Sequence, residues 1–328
     1  MRAVEYTDAG GPEVVALTEV SDPVPAAGEV LIDVAAAGLN RADVMQRRGV
    51  YPPPAGASPI PGLEVSGRVA AAGLGSPAAV QELVGVDVVA LLAGGGYAEK
   101  VVVDARHVLP VPAGVDVVDA AGLIEVAATV HSNLRGEARV QPGETVLVHG
   151  GTGGIGSFAL QYLHALGART LTTVGSPEKA RLARSLGADH VIDYREEDIG
   201  DRVSEITDGR GADVILDVIG AKYLQTNLRS LAVDGRLVII GLQGGRKAEA
   251  DLGLMLARRL RIIATTLRSR DAATKAGIVS GVGEELWPLI EQGRIRVQTD
   301  RVFAADDAAA AHDYFDSGAH SGKILLRF

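Results

Sequence analysis

Hydrophobic and polar residues follow two different periods along this chain, and the change falls near Val118. Before it, short runs such as Glu29–Ala36 and Glu64–Ala71 alternate between two faces, which is typical of strands that bury one side. After it, continuous apolar runs alternate with stretches in which apolar residues recur every three or four positions. The first part therefore predicts a β-rich domain, and the second predicts alternating strands and helices.

The β-rich part contains six candidate strands, separated by turns rich in glycine and proline. They are Met1–Val4, Val14–Val20, Glu29–Ala36, Glu64–Ala71, Asp87–Leu91 and Ala98–Val103. Short strands with irregular connections favour a barrel-like fold. One helix is predicted from Asn40 to Arg48, and the loop Tyr51–Gly62 follows it. Five prolines stiffen that loop, which either walls a pocket with Tyr51 or is a surface connector.

The second part repeats strand and helix. Strands are predicted at 145–149, 169–174, 190–193, 213–217, 236–240 and 261–266, and helices at 155–166, 177–186, 196–207, 222–231 and 252–258. An alanine-rich helix is predicted before them, at 118–136. Six strands with helices between them indicate an open, doubly wound parallel sheet of an α/β domain, whose strands are continuously apolar because both faces are covered.

The last part of the chain, from about residue 267, contains a predicted long helix around Trp287 and ends in the apolar run Gly322–Phe328. We expect that run to add a strand to the N-terminal domain. The predicted organisation is a β-rich domain made of residues 1–121 and 267–328, with an α/β domain of residues 122–266 inserted between the two parts.

A glycine-rich turn joins the first predicted strand of the α/β domain to its first helix. Gly151, Gly153 and Gly156 stand in G-x-G-x-x-G register, and Gly167 is placed to end the helix. Such a turn lets the backbone approach a pyrophosphate, which the N–H groups and dipole of the helix N-terminus attract. The motif is weak by itself in a chain with 41 glycines, but its place between strand and helix predicts a dinucleotide site.

The end of the second predicted strand indicates which dinucleotide binds. Sites for NAD commonly carry an acidic residue there, whereas this strand runs into Gly175 and Ser176. Ser176 is a good N-cap and Pro177 a good first helical residue, so free N–H groups and Lys179 are available to a 2′-phosphate. A purely capping Ser176 with a solvated Lys179 is the alternative. We predict NADP(H), with Tyr194 beside the adenosine.

Composition narrows the function classes. A net charge of −9, without a basic cluster, disfavours a nucleic-acid surface. No cysteine is present, which excludes disulfides and thiolate–zinc sites. No run of about 18 apolar residues occurs, so we expect a soluble, cytoplasmic protein without a membrane segment. The seven histidines show no metal-binding spacing, and His149 is best explained as a packed, hydrogen-bonded side chain.

Four segments carry a specific combination of motifs. They are Gly38–Tyr51 with Asn-Arg-Ala-Asp and Met-Gln-Arg, Pro61–Gly67, Val148–Gly156, and Thr266–Arg270 with Leu-Arg-Ser-Arg. Together they resemble the medium-chain dehydrogenase/reductase superfamily, within it the zeta-crystallin-like quinone oxidoreductases, and most of all the tumour-suppressor-inducible subgroup. The resemblance covers essentially the whole chain. It implies a GroES-like fold for the β-rich domain and a Rossmann fold for the α/β domain.

The resemblance also implies the residues that contact the cofactor. They are Tyr51, Thr152, Gly153, Gly154, Ile155, Gly156, Ser176, Lys179, Tyr194, Gly220, Gly241, Leu242, Gln243, Thr265, Thr266 and Leu267. Arg268 and Arg270 are left open as either substrate-facing or solvated. The preceding strand, Arg261–Thr266, would be an apolar sheet edge, which favours a homodimer formed through that edge.

One departure from the superfamily concerns the metal. Zinc-dependent members carry a cysteine near the position of Asn40, and Gly-His-Glu where this chain has Gly62-Leu63-Glu64. A catalytic zinc needs three protein ligands, and this chain lacks them, so no metal is predicted. Without that Lewis acid the expected hydride acceptor is a quinone or an activated alkene. Asn40 and Tyr51 are the predicted catalytic residues, as donors to the developing oxyanion.

The predicted function is therefore zinc-independent quinone reduction with NADPH. A reductase of enones, alkenals or enoyl thioesters is the first alternative, because only the lining of the pocket separates the two. The second alternative is an NADPH-binding protein with a structural or regulatory role and little catalysis. RNA binding in such a role is disfavoured by the acidic charge.

Overall fold

The computed structural model describes all 328 residues, which pack as two compact units. The β-rich unit consists of Met1–Ala128, Leu267–Gly293 and Val297–Phe328. The α/β unit consists of Thr129–Thr266 and Arg294–Arg296. Both chain ends therefore belong to the β-rich unit.

Strands and helices are numbered here in chain order. The strands are β1 (Arg2–Tyr6), β2 (Val15–Glu19), β3 (Glu29–Gly38), β4 (Glu64–Ala72), β5 (Asp87–Leu91), β6 (Lys100–Asp104), β7 (Val108–Pro110), β8 (Thr145–His149), β9 (Arg169–Val174), β10 (His190–Asp193), β11 (Ala212–Asp217), β12 (Leu231–Ile239), β13 (Arg261–Ala264), β14 (Thr299–Ala304) and β15 (Lys323–Arg327). The α-helices are α1 (Arg41–Arg47), α2 (Ala78–Gln81), α3 (Val117–Ala120), α4 (Ile124–Val130), α5 (Gly154–Leu166), α6 (Pro177–Ser185), α7 (Ile199–Ile206), α8 (Leu224–Ser230), α9 (Leu252–Arg258), α10 (Ala272–Glu285), α11 (Trp287–Glu291) and α12 (Ala308–Ser317).

The β-rich unit is built on one sheet in the order β14-β15-β3-β4-β5-β7, with β6 paired to β3 and a separate β1-β2 ribbon. The C-terminal strand β15 runs antiparallel to β3, which confirms the predicted strand from the final apolar run. Two strands, β7 and β14, were not predicted. β7 has only three residues, and β14 is mostly exposed, with three polar residues followed by three apolar ones, so neither shows a clear period of two.

The α/β unit has one parallel six-stranded sheet in the order β10-β9-β8-β11-β12-β13. This is the predicted doubly wound sheet, with the order reversing beside β8. The last strand ends at Ala264 instead of residue 266. The third strand-connecting helix begins at Ile199 instead of residue 196, because Asp198 caps it by accepting a hydrogen bond from the Asp201 N–H.

Two predicted long helices are broken in the structure. The segment 118–136 forms α3, α4 and a π-helix from His131 to Glu137. The break after α3 includes Gly122, which packs closely on the side chain of Lys323. The helix around Trp287 is split into α10 and α11, since Pro288 cannot donate to the preceding turn. No helix in the structure is long and apolar enough to cross a lipid bilayer.

Candidate functional site

The glycine turn of the α/β unit is shaped by close backbone packing. A Cβ atom on Gly151 would lie 2.1 Å from Oγ1 of Thr172, and one on Gly156 would lie 2.2 Å from the Gly150 carbonyl oxygen. Helix α5 starts at Gly154 with Gly153 as its N-cap residue, so its first N–H groups have no partner in the helix. Thr152 is buried within the turn and Ile155 is partly exposed. The N–H groups at the start of α5 are therefore open to a phosphate group, while Gly151 and Gly156 have no room for a side chain.

A buried polar network lies next to the turn. Nε2 of His149 is 2.7 Å from Oδ1 of Asn227, and the Asn227 amide donates to Asp217 over 3.1 Å. The carboxylate of Asp217 accepts from the backbone N–H groups of Ile219 and Gly220. Burial lowers the pKa of His149, so the ring is neutral. The network fixes the loop after β11, which agrees with the prediction of a packed, hydrogen-bonded histidine.

The loops that follow β11 and β12 are joined by their backbones. Gly244 donates to the carbonyl of Ile219 over 2.7 Å, and Gln243 donates to Val218 over 3.2 Å. Gly220 has a φ of +77°, and a Cβ there would lie 2.9 Å from the carbonyl oxygen of Gly245. Gly241 and Leu242 belong to the same loop pair, and the Leu242 side chain is exposed. The parallel sheet thus brings these predicted contact residues to the edge where the glycine turn lies.

The end of β9 has the predicted capping geometry. Oγ of Ser176 accepts a hydrogen bond from the Lys179 N–H over 3.2 Å, and Pro177 is the first residue of α6. The ring of Tyr194 covers Gly175, since a Cβ at that glycine would lie 2.3 Å from the tyrosine hydroxyl. Ser176 and Lys179 are partly exposed, so a ligand can reach this tip.

Glu178 also lies at this helix N-terminus. Its carboxylate forms a 3.2 Å ion pair with Arg181, and both side chains are exposed. Hydrogen bonds from its own backbone and from Ser176 lower the pKa of Glu178. The carboxylate is therefore ionised at neutral pH. Its negative charge at the N-terminus of α6 opposes the binding of a 2′-phosphate there.

The end of β13 is tied to the π-helix. Oγ1 of Thr265 donates to Oδ1 of buried Asn133 over 2.6 Å, and the Asn133 amide donates to the Thr129 carbonyl over 2.8 Å. The Thr265 N–H bonds the Ile239 carbonyl over 3.2 Å, which continues the sheet one residue past β13. Thr266 and Leu267 follow directly. No pattern in the sequence indicates a role for Asn133, because that role depends on the π-helix.

In the β-rich unit, a buried ion pair lies where zinc-dependent relatives have a metal ligand motif. Nζ of Lys323 is 2.6 Å from Oε1 of Glu64, and both side chains are at most 5% exposed. Lys323 also donates to Oδ1 of Asn40 over 2.7 Å and to the Leu39 carbonyl over 3.0 Å. Oε2 of Glu64 accepts from the backbone N–H of Glu125 over 2.9 Å. Each oxygen of Glu64 therefore has a donor.

The side chain of Asn40 is held on all sides. Its amide nitrogen donates to Glu64 over 3.0 Å and to the Gly38 carbonyl over 3.2 Å, while its oxygen accepts from Lys323. Both amide hydrogens are thus used inside the protein. These contacts favour a role for Asn40 in holding the Glu64–Lys323 pair, whereas direct donation to an acceptor remains a prediction.

Helix α1 begins in a second buried network. The carboxylate of Asp43 accepts from the N–H of Asn40 over 2.8 Å, the N–H of Gly62 over 3.1 Å and the hydroxyl of Tyr97 over 3.0 Å. Burial outweighs these three hydrogen bonds and raises the pKa of Asp43 to about 6. The network connects the start of α1 to the end of the proline-rich loop.

Glu125 is another carboxyl group of this region, and its pKa is raised more than that of Asp43. Burial and the nearby charge of Glu64 raise its pKa to about 8, against an ordinary value of 4.5. Its side chain is therefore mostly protonated at neutral pH. Lys275 acts in the opposite direction on Glu125, and burial in turn lowers the pKa of Lys275.

The proline-rich loop is anchored at its C-terminal end and carries Tyr51 at its beginning. Gly95 donates to the Ile60 carbonyl over 2.7 Å, and Tyr97 donates to Pro61 over 2.9 Å. The ring of Tyr51 is partly exposed, and the guanidinium carbon of Arg268 lies 5.5 Å from its centroid. The loop is thus fixed to the sheet of the β-rich unit, and Arg268 is buried in that unit instead of being solvated.

No group of three or more histidine, aspartate or glutamate side chains is close enough to hold a metal ion. Leu63, at the place of the histidine ligand, is a buried core residue. Glu64 is neutralised by Lys323. Sequence reasoning missed Lys323, because only the pairing of β15 with β3 brings it to Glu64.

Comparison with known families matches both units. Residues 154–278 match the profile of the zinc-binding dehydrogenase family, and residues 26–113 match that of the alcohol dehydrogenase GroES-like domain. The two profiles correspond to the Rossmann and GroES-like folds predicted from the resemblance.

Individual relatives cover the whole chain. A quinone oxidoreductase of Pseudomonas aeruginosa is 35% identical over 99% of this chain and 99% of its own. The solved structure of Escherichia coli quinone oxidoreductase complexed with NADPH is 32% identical, with a TM-score of 0.90 and 100% of both chains covered. A mycobacterial protein complexed with NADPH is 34% identical with a TM-score of 0.91, again over 100% of both chains.

Proposed function

The chain belongs to the quinone oxidoreductase family of medium-chain dehydrogenases/reductases, and from this premise we propose that it reduces quinones with NADPH and without a metal ion. The observation that carries the proposal is the Glu64–Lys323–Asn40 network. It fills the place of a zinc site with a neutralised ion pair, so the acceptor must be reducible without a Lewis acid. Quinones meet that requirement, because their carbonyl-conjugated ring accepts a hydride readily.

The α/β unit fits NADP(H). The turn around Gly153 and Gly156 offers backbone N–H groups to the pyrophosphate, and the relatives complexed with NADPH support this assignment. Ser176, Lys179 and Tyr194 would hold the 2′-phosphate end. When bound, the cofactor supplies the hydride for the reaction. The loops at Gly220, Gly241–Gln243 and Thr265–Leu267 would contact its remaining parts through backbone groups.

Tyr51 is the proposed donor to the acceptor oxygen. Its hydroxyl would stabilise the negative charge that develops when the quinone receives a hydride, and the hydroquinone anion then takes a proton from solvent. We assign Asn40 a supporting role, in which it keeps Glu64 and Lys323 paired. Both assignments follow the family resemblance and the contacts in the β-rich unit.

The central experiment measures NADPH oxidation by the purified protein with a series of ortho- and para-quinones, and with enones and enoyl thioesters. We expect turnover of the quinones. Tyr51→Phe should lower kcat/KM about 100-fold, as loss of an oxyanion donor does. Tyr314→Phe is the matched control, because Tyr314 bonds Asp300 at the surface. Turnover of enones or enoyl thioesters alone would replace the proposal with the reductase alternative, and no turnover at all would favour a binding role.

Substitutions of two neighbouring charged residues after β9 test the preference for NADPH over NADH. Lys179→Ala should raise the Kd for NADPH about tenfold or more and leave that for NADH nearly unchanged. Glu178→Gln should act in the opposite direction, because it removes a carboxylate from the same helix N-terminus. Equal effects on both cofactors would contradict the 2′-phosphate assignment.

We also propose a homodimer formed through β13. This strand is the sheet edge, and Ile262 on it is 38% exposed, as are Leu252 and Leu256 of α9 at 67% and 80%. The N–H group of Thr265 points toward β12. Because backbone groups of successive residues in a strand point in alternating directions, those of Ile262 and Ala264 point away from the sheet. Antiparallel pairing of two β13 edges would satisfy them.

A cytoplasmic location, favoured by composition, remains a prediction.

Analytical ultracentrifugation at micromolar concentration tests the dimer. We expect a dimer for the native chain and for Ile262→Ala, which keeps the outward N–H group. Ile262→Pro removes that N–H and should give a monomer. A monomeric native chain would contradict the proposal.

A further inference from the structure

Arg268 is a buried cation without a carboxylate partner. Its side chain is 4% exposed, and it forms no ion pair. Nε donates to the Ala93 carbonyl over 2.8 Å, and Nη2 donates to Oε1 of Gln46 over 2.7 Å. Nη1 is buried and has no hydrogen-bond acceptor. Burial lowers the pKa of Arg268. Such an arrangement costs folding free energy, because a charge is moved out of water without an opposite charge to pair with.

The contacts of Arg268 converge on one loop. The guanidinium carbon lies over the ring of Tyr51, 5.5 Å from its centroid, within the range of a cation–π interaction. Gln46, which Arg268 bonds, also donates from Nε2 to the Pro59 carbonyl over 2.8 Å. One arginine therefore contacts the first residue of the proline-rich loop directly and reaches the far part of the loop through Gln46.

We propose that Arg268 is a positioning residue for Tyr51. It holds the tyrosine ring and the proline-rich loop in the orientation that the acceptor requires. The proposal rests on the assignment of Tyr51 as the donor to the quinone oxygen. The planar fork of arginine is needed for this role, since one side chain must bond both Gln46 and Ala93 while its cation lies over the ring of Tyr51.

The first test is a double-mutant cycle between Arg268 and Tyr51, with kcat/KM for one ortho-quinone as the readout. Arg268→Gln should lower kcat/KM about 10- to 100-fold, mainly through kcat, because a misplaced catalytic group costs rate. In a Tyr51→Ala background the same change should cost less than about twofold, since coupled residues are not additive. Equal losses in both backgrounds would show that Arg268 does not act through Tyr51.

Two further variants separate positioning from charge and from general stability. Arg268→Lys keeps the charge without the fork, so it should lose nearly as much activity as Arg268→Gln. Full activity in Arg268→Lys would overturn the proposed geometry. Arg47→Gln removes another fully buried arginine, which pairs with Asp316 and bonds the Gly10 carbonyl. It should lower stability but leave kcat/KM of the folded protein nearly unchanged.

A second measurement does not depend on quinone turnover. Hydrogen exchange followed by mass spectrometry reports the protection of residues 48–62 in the free protein. Arg268→Gln should speed exchange in this segment about tenfold or more, while Arg47→Gln should not. Unchanged exchange would overturn the positioning role, even if quinones were reduced. Faster exchange in a protein that reduces no quinone would instead refute the proposed function and retain the structural link.

Discussion

The two units build their sites from different materials. In the α/β unit the glycine turn presents backbone, and the neighbouring His149 is neutral, so no charged side chain forms the cradle. In the β-rich unit the region around Glu64 is built from side chains, two of them a buried ion pair. The first site is limited by space, because a Cβ atom on Gly156 would come within 2.2 Å of the Gly150 carbonyl oxygen. The second is limited by charge balance.

This difference indicates how each site responds to change. A backbone site tolerates no Cβ atom at its close-packed glycines, but it is insensitive to pH, since peptide groups do not titrate. A side-chain site accepts changes of shape more easily than changes of charge, because an unpaired buried charge is expensive. The three predictions below separate the two responses.

The largest effect is expected at the buried ion pair. Lys323→Met leaves Glu64 charged and unpaired in the interior, which should lower the free energy of unfolding by about 3–5 kcal/mol. Urea denaturation at pH 7 measures it. The double variant Lys323→Met with Glu64→Gln should be more stable than Lys323→Met alone, because it removes the orphaned charge. A loss below about 1 kcal/mol in the single variant would mean that the pair is solvated.

A smaller effect is expected at the glycine turn. In Gly156→Ala the new Cβ would lie 2.2 Å from the Gly150 carbonyl oxygen, so the turn must move. We expect a stability loss of about 1–3 kcal/mol from overpacking and an NADPH Kd raised about tenfold or more. Calorimetry on the folded variant measures both.

Gly277→Ala is the matched control for the glycine turn. Gly277 lies in α10 with nothing near its Cβ position, so the alanine should stabilise the protein by about 0.5–1 kcal/mol and leave NADPH binding unchanged. Tight NADPH binding by Gly156→Ala would contradict the close packing of the turn.

The smallest effect depends on pH and concerns Glu125. Its pKa is raised from 4.5 to about 8 in the folded state, so folding takes up a proton between these values. Its contribution therefore makes the protein less stable as pH rises through this window. Glu125→Gln does not titrate. The quantity to compare is the free energy of unfolding of Glu125→Gln minus that of the native chain. This difference should be lowest near pH 4.5 and should increase by more than about 1 kcal/mol by pH 8.5.

Denaturation curves at several pH values give this difference directly. Asp43, with a pKa of about 6, titrates in both proteins, so most of its own pH dependence is common to the two curves. A difference that stays constant across the series would show that Glu125 is ionised in the folded state at all these pH values.

Sequence reasoning succeeded where local chemistry decides the structure. The Ser176 cap with Pro177, the parallel strands around β8 and the final strand β15 all followed from local patterns. It was wrong where a neighbouring element decides. The helix predicted at 118–136 is interrupted, and the strand predicted at 261–266 ends at Ala264, where the Thr265 side chain bonds Asn133 of the π-helix. Alanine content and apolar runs carry no information about such contacts.

Residue types alone were enough to predict the two types of site. Glycines in register after a buried strand predict a backbone cradle, and the lack of cysteine with leucine at position 63 removes the zinc ligands. The residue that replaces the metal and the residue beside Tyr51 became visible only from long-range contacts. Lys323 contacts Glu64 from the opposite end of the chain, and Arg268 bonds Gln46, which lies 222 positions earlier in the sequence. Such pairings depend on which strands lie side by side. The hydrophobic pattern of a segment does not indicate which distant segment it will contact.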